Sequence, residues 1–161
     1  MSKQIVVGIS DLNVTMADGV LVSYALGSCV GICLYDAAIK AAGLAHIMLP
    51  SIIGFKQDAN IMKFADTATV ELLRRMENLG AKRGRMVAKI AGGAQMFSKQ
   101  GMADMAQIGN RNISAAKEAL NGLNIKLIAE DTGSNYGRTI ELYAQTGILK
   151  VKSITKGIKE I

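Results

Sequence analysis

Short apolar runs, separated by glycine and polar pairs, fill the first fifty residues of the chain. Residues 4–8, 20–26, 29–35 and 43–49 are rich in Val, Ile, Leu and Ala over strand-like lengths. Asp18-Gly19 reads as a turn inside the stretch 12–26, and Gly27-Ser28 reads as a breaker. The loop 50–57 follows the single proline, Pro50. The period then changes. Ile61, Ala65, Ala68, Leu72, Met76 and Leu79 recur at helical spacing, which predicts a helix over 60–79. Asp58 or Asn60 suits its start and Gly80 its end. Beyond it the pattern predicts a strand at 85–91, the tight pair Gly92-Gly93, a loop at 97–108, and a helix at 112–121 closed near Gly122. A buried strand at 125–130 and a polar loop at 131–137 come next. Two strands, 138–143 and 148–154, form a hairpin around Gln145-Thr146-Gly147. Strands outweigh helices, and their order favours a mixed, largely antiparallel α/β sandwich over a doubly wound sheet. With no repeat, linker or low-complexity segment, the 161 residues read as one domain.

Composition adds two constraints. Half of the residues are hydrophobic and 20% are charged, a globular rather than disordered balance. The net charge of +6 favours encounter with acidic partners. Nucleic acid is a poor fit. There is no Trp, only three Phe and four Tyr, and no dense basic run or stacking motif. The start lacks the pattern of a secretory signal, and no run is apolar for long enough to span a membrane. A cytosolic protein is expected.

The chemistry-bearing residues are few. Cys29 and Cys33 are the only cysteines and His46 the only histidine. Four residues apart on one strand, the thiols lie roughly 13 Å apart and cannot form a disulfide. A Cys/His zinc site would need carboxylates or a second subunit. A hairpin centred on Ala37-Ala38 would set Cys29 opposite His46 and Cys33 opposite Ala42. Directly opposed side chains have Cβ atoms roughly 4.5–5.5 Å apart. An imidazole at that range can take the thiol proton and activate the nucleophile. Cys29 also follows Gly27-Ser28, a turn able to present a side chain at the mouth of a site and to aim N–H groups at an oxyanion. Cys33 sits mid-strand, where a cysteine is usually a small buried hydrophobe. Spacing alone leaves ordinary alternatives open for every one of these residues. A strand Cys or a lone His can simply be core, Gly92-Gly93 can be only a turn, and Asp131-Thr132-Gly133 only a surface loop.

Several runs together resemble one known family. They are Leu26-Gly27-Ser28-Cys29-Val30, His46-Ile47-Met48-Leu49-Pro50, Lys89-Ile90-Ala91-Gly92-Gly93-Ala94, Ile108-Gly109-Asn110-Arg111-Asn112 and Ala129-Glu130-Asp131-Thr132-Gly133. In this order, across nearly the whole chain, they are similar to the chemoreceptor glutamine deamidases, CheD. The resemblance implies a three-layer α/β sandwich like the catalytic domains of deamidating bacterial toxins. It implies a Cys-His pair, matched by Cys29 and His46, and a hydroxyl residue six positions before the cysteine. That position is Ser23 here, where the family pattern has threonine. Serine keeps the hydroxyl and loses the β-branch that fixes its rotamer. The implied reaction converts receptor glutamines to glutamates through a thioester, with Ser28, Gly92 and Gly93 near the oxyanion and no metal or cofactor. The implied partners are the cytoplasmic part of membrane-bound chemoreceptors and the CheC phosphatase. The last makes a regulatory binding module the second reading. A methylesterase or transglutaminase on the same pair is a third.

Overall fold

The computed structural model describes residues 3–95 and 103–161. Among these residues, ten strands form two five-stranded sheets. The first runs in the order β1 (Lys3–Val6), β3 (Gly19–Leu26), β8 (Arg138–Tyr143), β9 (Leu149–Ser153) and β10 (Gly157–Glu160). The second runs β2 (Asp11–Met16), β5 (Ala41–Ile47), β4 (Val30–Asp36), β6 (Val87–Gly92) and β7 (Lys126–Thr132). The pairs β1/β3 and β6/β7 are parallel and the others antiparallel. A parallel pair obliges a crossover, and helix α2 (Ala103–Gly122) supplies it between β6 and β7.

Alternation along the strands explains the layering. Val30, Ile32, Leu34, Ala88 and Ile90 point to one side and pack with Leu72 and Met76 of α1 (Ala65–Asn78) and Ala116 and Leu120 of α2. Cys33, Tyr35, Ala42 and Leu44 point to the other side and pack with Leu21, Leu26, Ile140 and Leu142 of the first sheet. The second sheet is therefore buried on both faces, which is why β4 and β5 read as continuous apolar runs. The result is three layers: sheet, sheet, helices.

The structure moves several boundaries. The helix expected over 60–79 is a single 3-10 turn, Ile61–Lys63, and then α1. Phe64 between them is extended (φ −113°, ψ 140°), because residues 48–49 pair there: the N–H groups of Met48 and Leu49 both donate to the Lys63 carbonyl. Asn60 caps the 3-10 turn through Met62 N–H. Strand β2 is a separate element within the stretch 12–26, and its Leu12 and Val14 alternate toward the core. The exposed edge strand β10 carries too little apolar signal to be read. Of the loop expected at 97–108, residues 97–102 lie outside the described residues, and 103–108 are helical instead. Gly109 does not break α2. A Cβ there would strike the carbonyls of Gly93 and Ala94, so the glycine lets the helix press against the end of β6.

The candidate active site

The β4/β5 hairpin decides how Cys29 and His46 meet. Its loop has four residues, with Asp36 paired to Ala41 and Lys40 left-handed (φ 50°). Asp36 is buried and caps the turn through Ala38 N–H, while Arg85 and the Lys82 N–H hold its other contacts. The loop is centred one residue later than expected. Gly31, not Cys29, lies opposite His46, and Cys33 faces Leu44 rather than Ala42. The slip amounts to two residues, so every side chain keeps its face. Cys29 becomes the diagonal neighbour of His46, a relation of about 7–8 Å in a regular ladder.

Ser23 reaches the same place from the other sheet. It pairs with Ile140 across β3/β8. Ile140 packs onto Gly31, where a Cβ would stand 2.5 Å from its Cδ1. Gly31 in turn faces His46. The chain then leaves the first sheet through a bulge between Ser23 and Leu26, with Ala25 left-handed (φ 55°), and enters the second at Val30. Cys29 stands on that crossing, between the layers and partly exposed. A bulge that re-aims the chain is a common device beside active sites.

Backbone hydrogen bonds brace the crossing from the end of β6. Gly93 N–H donates to the Cys29 carbonyl (2.8 Å) and Ala94 N–H to the Gly27 carbonyl (2.8 Å). The Gly92 carbonyl accepts from Gly133 N–H (3.0 Å). Gly92 (φ 109°) has no room for a side chain, since a Cβ would collide with the Cys29 carbonyl. Arg138 is buried beneath this brace. Its guanidinium donates to the carbonyls of Gly133 and Tyr136, lies 4.3 Å above the Tyr136 ring and 3.5 Å from Asp131. The Gly93 amide is thus engaged with Cys29, so its part in this geometry is to position the loop rather than to meet an oxyanion.

Burial shifts both Cys29 and His46 toward their neutral forms. Burial pushes the Cys29 thiol above its ordinary range, and its own backbone N–H pulls it back only in part. Burial also holds the His46 imidazole below its ordinary value, opposed by the Val7 carbonyl. That carbonyl already accepts the Ser23 hydroxyl at 2.6 Å. Neither ring nitrogen of His46 makes a hydrogen bond, to Cys29 or to Ser23, among the described residues. The expected thiol–imidazole bond is therefore not formed here, in keeping with the diagonal rather than direct opposition of Cys29 and His46. Cys33 is set apart. It is buried opposite Lys89, and burial pushes its thiol up to about 12 although the Lys89 ammonium opposes this. A cleft of about 630 Å³ on the helical side is lined by Pro50, Ser51, Asp66 and Arg111 and does not reach Cys29 or His46. No group of metal-binding side chains occurs among the described residues.

The sequence places Asn112 in a family-like run and at a helix start but gives it no role. Asn112 is fully buried on α2, in line with Ala116 and Leu120, and its Nδ2 donates to the carbonyls of Ser28 (2.9 Å) and Met48 (3.0 Å). An asparagine in an apolar helical stripe was the available signal.

Comparison with known proteins follows the same residues. Residues 48–153 match the family described as CheD chemotactic sensory transduction. The chain is 49% identical over its full length, and over all of the relative, to "Probable chemoreceptor glutamine deamidase CheD" of Lachnoclostridium phytofermentans. This chain belongs to the CheD family. The protein of that same name in Caldanaerobacter subterraneus subsp. tengcongensis is 50% identical, with 99% of each chain covered. "Chemoreceptor glutamine deamidase CheD" of Halalkalibacterium halodurans is 48% identical, with both chains fully covered. Ser23, Cys29 and His46 precede the segment matched by the family model and fall within these end-to-end alignments.

Proposed function

We propose that this CheD-family protein deamidates specific glutamine side chains of chemoreceptors, with Cys29 as nucleophile and His46 as base. The end-to-end likeness to relatives bearing that name carries the reading. The meeting of Cys29, His46 and Ser23 at one end of the two sheets supports the assignment of roles.

His46 accepts the Cys29 proton as the substrate carboxamide enters and excludes the remaining water. The sulfur attacks the amide carbon, and the carbonyl oxygen becomes an oxyanion. The amides at Ser28 and Cys29 would serve as its donors, since that of Gly93 is engaged with the Cys29 carbonyl. His46 then passes its proton to the nitrogen, the C–N bond breaks, ammonia leaves and a thioester remains. Water, losing a proton to His46, attacks the thioester; the S–C bond breaks, glutamate is released, and His46 returns the proton to the Cys29 sulfur. A neutral imidazole beside a neutral thiol suits this order, since the base is unprotonated before each attack. Ser23 anchors Val7, whose carbonyl approaches the ring, and so orients His46 indirectly. No helix among the described residues is long and apolar enough to cross a membrane. Membrane-bound receptors would be met through protein surfaces.

The test is mass spectrometry of a glutamine-bearing receptor fragment incubated with the protein. Conversion of particular Gln residues to Glu, absent with Cys29→Ala, supports the reading. Absence of conversion with the unaltered protein overturns it and favours the CheC-binding module, which does not need the thiol. Release of methanol from a methylated fragment would instead identify an esterase.

A further inference from the structure

The β4/β5 ladder ends at Val30 and Ile47, one step past His46 and one step short of Cys29. Beyond it the strands part. Met48 N–H turns away to the Lys63 carbonyl, and the Cys29 carbonyl is taken by Gly93 N–H. What spans the gap is the Asn112 side chain, which donates one N–H to Ser28 O and the other to Met48 O. One partner precedes Cys29 directly, and the other lies two residues after His46.

Both partners are carbonyls, which fixes the orientation of the amide: only its NH2 end can serve them. The Oδ1 end is left buried without a hydrogen-bond partner among the described residues. A buried acceptor in that state is unfavourable, so packing alone would favour a leucine here. Serine and threonine offer a single donor, and aspartate would set a carboxylate against two carbonyl oxygens. Of side chains this short, asparagine alone supplies two donors on one rigid neutral plane.

We propose that Asn112 is a positioning residue that sets the spacing between the Cys29 segment and the His46 strand. The proposal rests on the reading of Cys29 and His46 as the reacting pair. Asn112 is buried and does not meet substrate, so its action is on the pair and not on binding. It also ties both segments to α2, which makes the spacing a property of the helix as well as of the sheet.

Asn112→Leu keeps the volume and removes both donors. We expect kcat on the receptor fragment to fall by about 100-fold with KM nearly unchanged, the effect of a small misplacement of reacting groups. A second readout needs no turnover. His46 is the only histidine, so its imidazole titration can be followed by NMR without ambiguity. In Asn112→Leu the gap opens to water and the His46 pKa rises toward the ordinary value of about 6.5. Asn112→Ser, with one donor left, should fall between on both readouts, and it serves if the leucine variant does not fold. A folded variant with unchanged kcat and unchanged His46 titration overturns the proposal, as does a rise in KM without a fall in kcat. If the unaltered protein converts no glutamine, the function reading fails, and the titration still decides the role of Asn112.

Discussion

The two thiols share a sequence neighbourhood and differ in burial. Cys33 lies in the inter-sheet core with its thiol pushed up to about 12. Cys29 lies on the crossing between sheets, partly open to solvent. Cys33→Ala should keep full deamidation and cost about 1 kcal/mol of stability as a small core truncation, measured by chemical unfolding. Cys29→Ala should lose deamidation entirely and unfold at nearly the same denaturant concentration. The pH dependence follows from His46. Its folded pKa is depressed, so the active neutral form persists below the ordinary value of about 6.5. The acid limb of kcat/KM should lie below that pH. A limb above it would mean that His46 is charged in the free enzyme. The same shift gives a stability effect of fixed sign: the neutral ring's contribution is complete above about 6.5 and is lost as the pH falls toward the folded pKa.

At the scale of elements, the hairpin was legible in kind and misplaced in detail. Two apolar runs around a short polar loop can pair in several registers, and local pattern fixes only parity. The register itself comes from Asp36, whose contacts to Arg85 and Lys82 are made by residues some fifty positions away. Asp36 is buried, which alone would raise its pKa, yet the Arg85 guanidinium and the amides of Lys82 and Ala38 hold it below the usual value. Helix α2 shows the opposite failure. Gly109 looks like a weak point, and Gly→Ala in a helix interior usually gains up to about 1 kcal/mol. Here the added methyl would meet two backbone carbonyls. Gly109→Ala should therefore destabilise, by about 1–3 kcal/mol on the scale of overpacked cores, and thermal unfolding would detect the sign. A stabilised variant would mean that α2 stands further from β6 than described.

The whole molecule was the most legible in layers and the least in closure. Alternating and continuous apolar runs separate a one-sided sheet from a two-sided one, so the sandwich class could be read. What could not be read is how distant segments converge on Cys29. Ser23 on β3, Asn112 on α2, and Gly93 and Gly133 just past β6 and β7 arrive from separate parts of the chain, and their hydrogen bonds run through backbone carbonyls that any residue would supply. Charge acts at this scale too. The net charge of +6 should speed encounter with an acidic receptor surface. We expect kcat/KM to fall as salt rises from 50 to 300 mM, on the order of several-fold as screening shortens to below about 10 Å, with kcat unchanged. A flat salt response would mean that the charge does not face the substrate.

The Cys29 loop is held from outside through its own carbonyls, and this gives it remote reporters. The donors are the amides of Gly93 and Ala94, just past the end of β6 and some sixty-five positions from Cys29 in the chain. Deuterium uptake at these two positions therefore counts openings of the loop, even in variants that lack the thiol. A substrate that closes the site would slow their exchange, and one that must pry it open would quicken it.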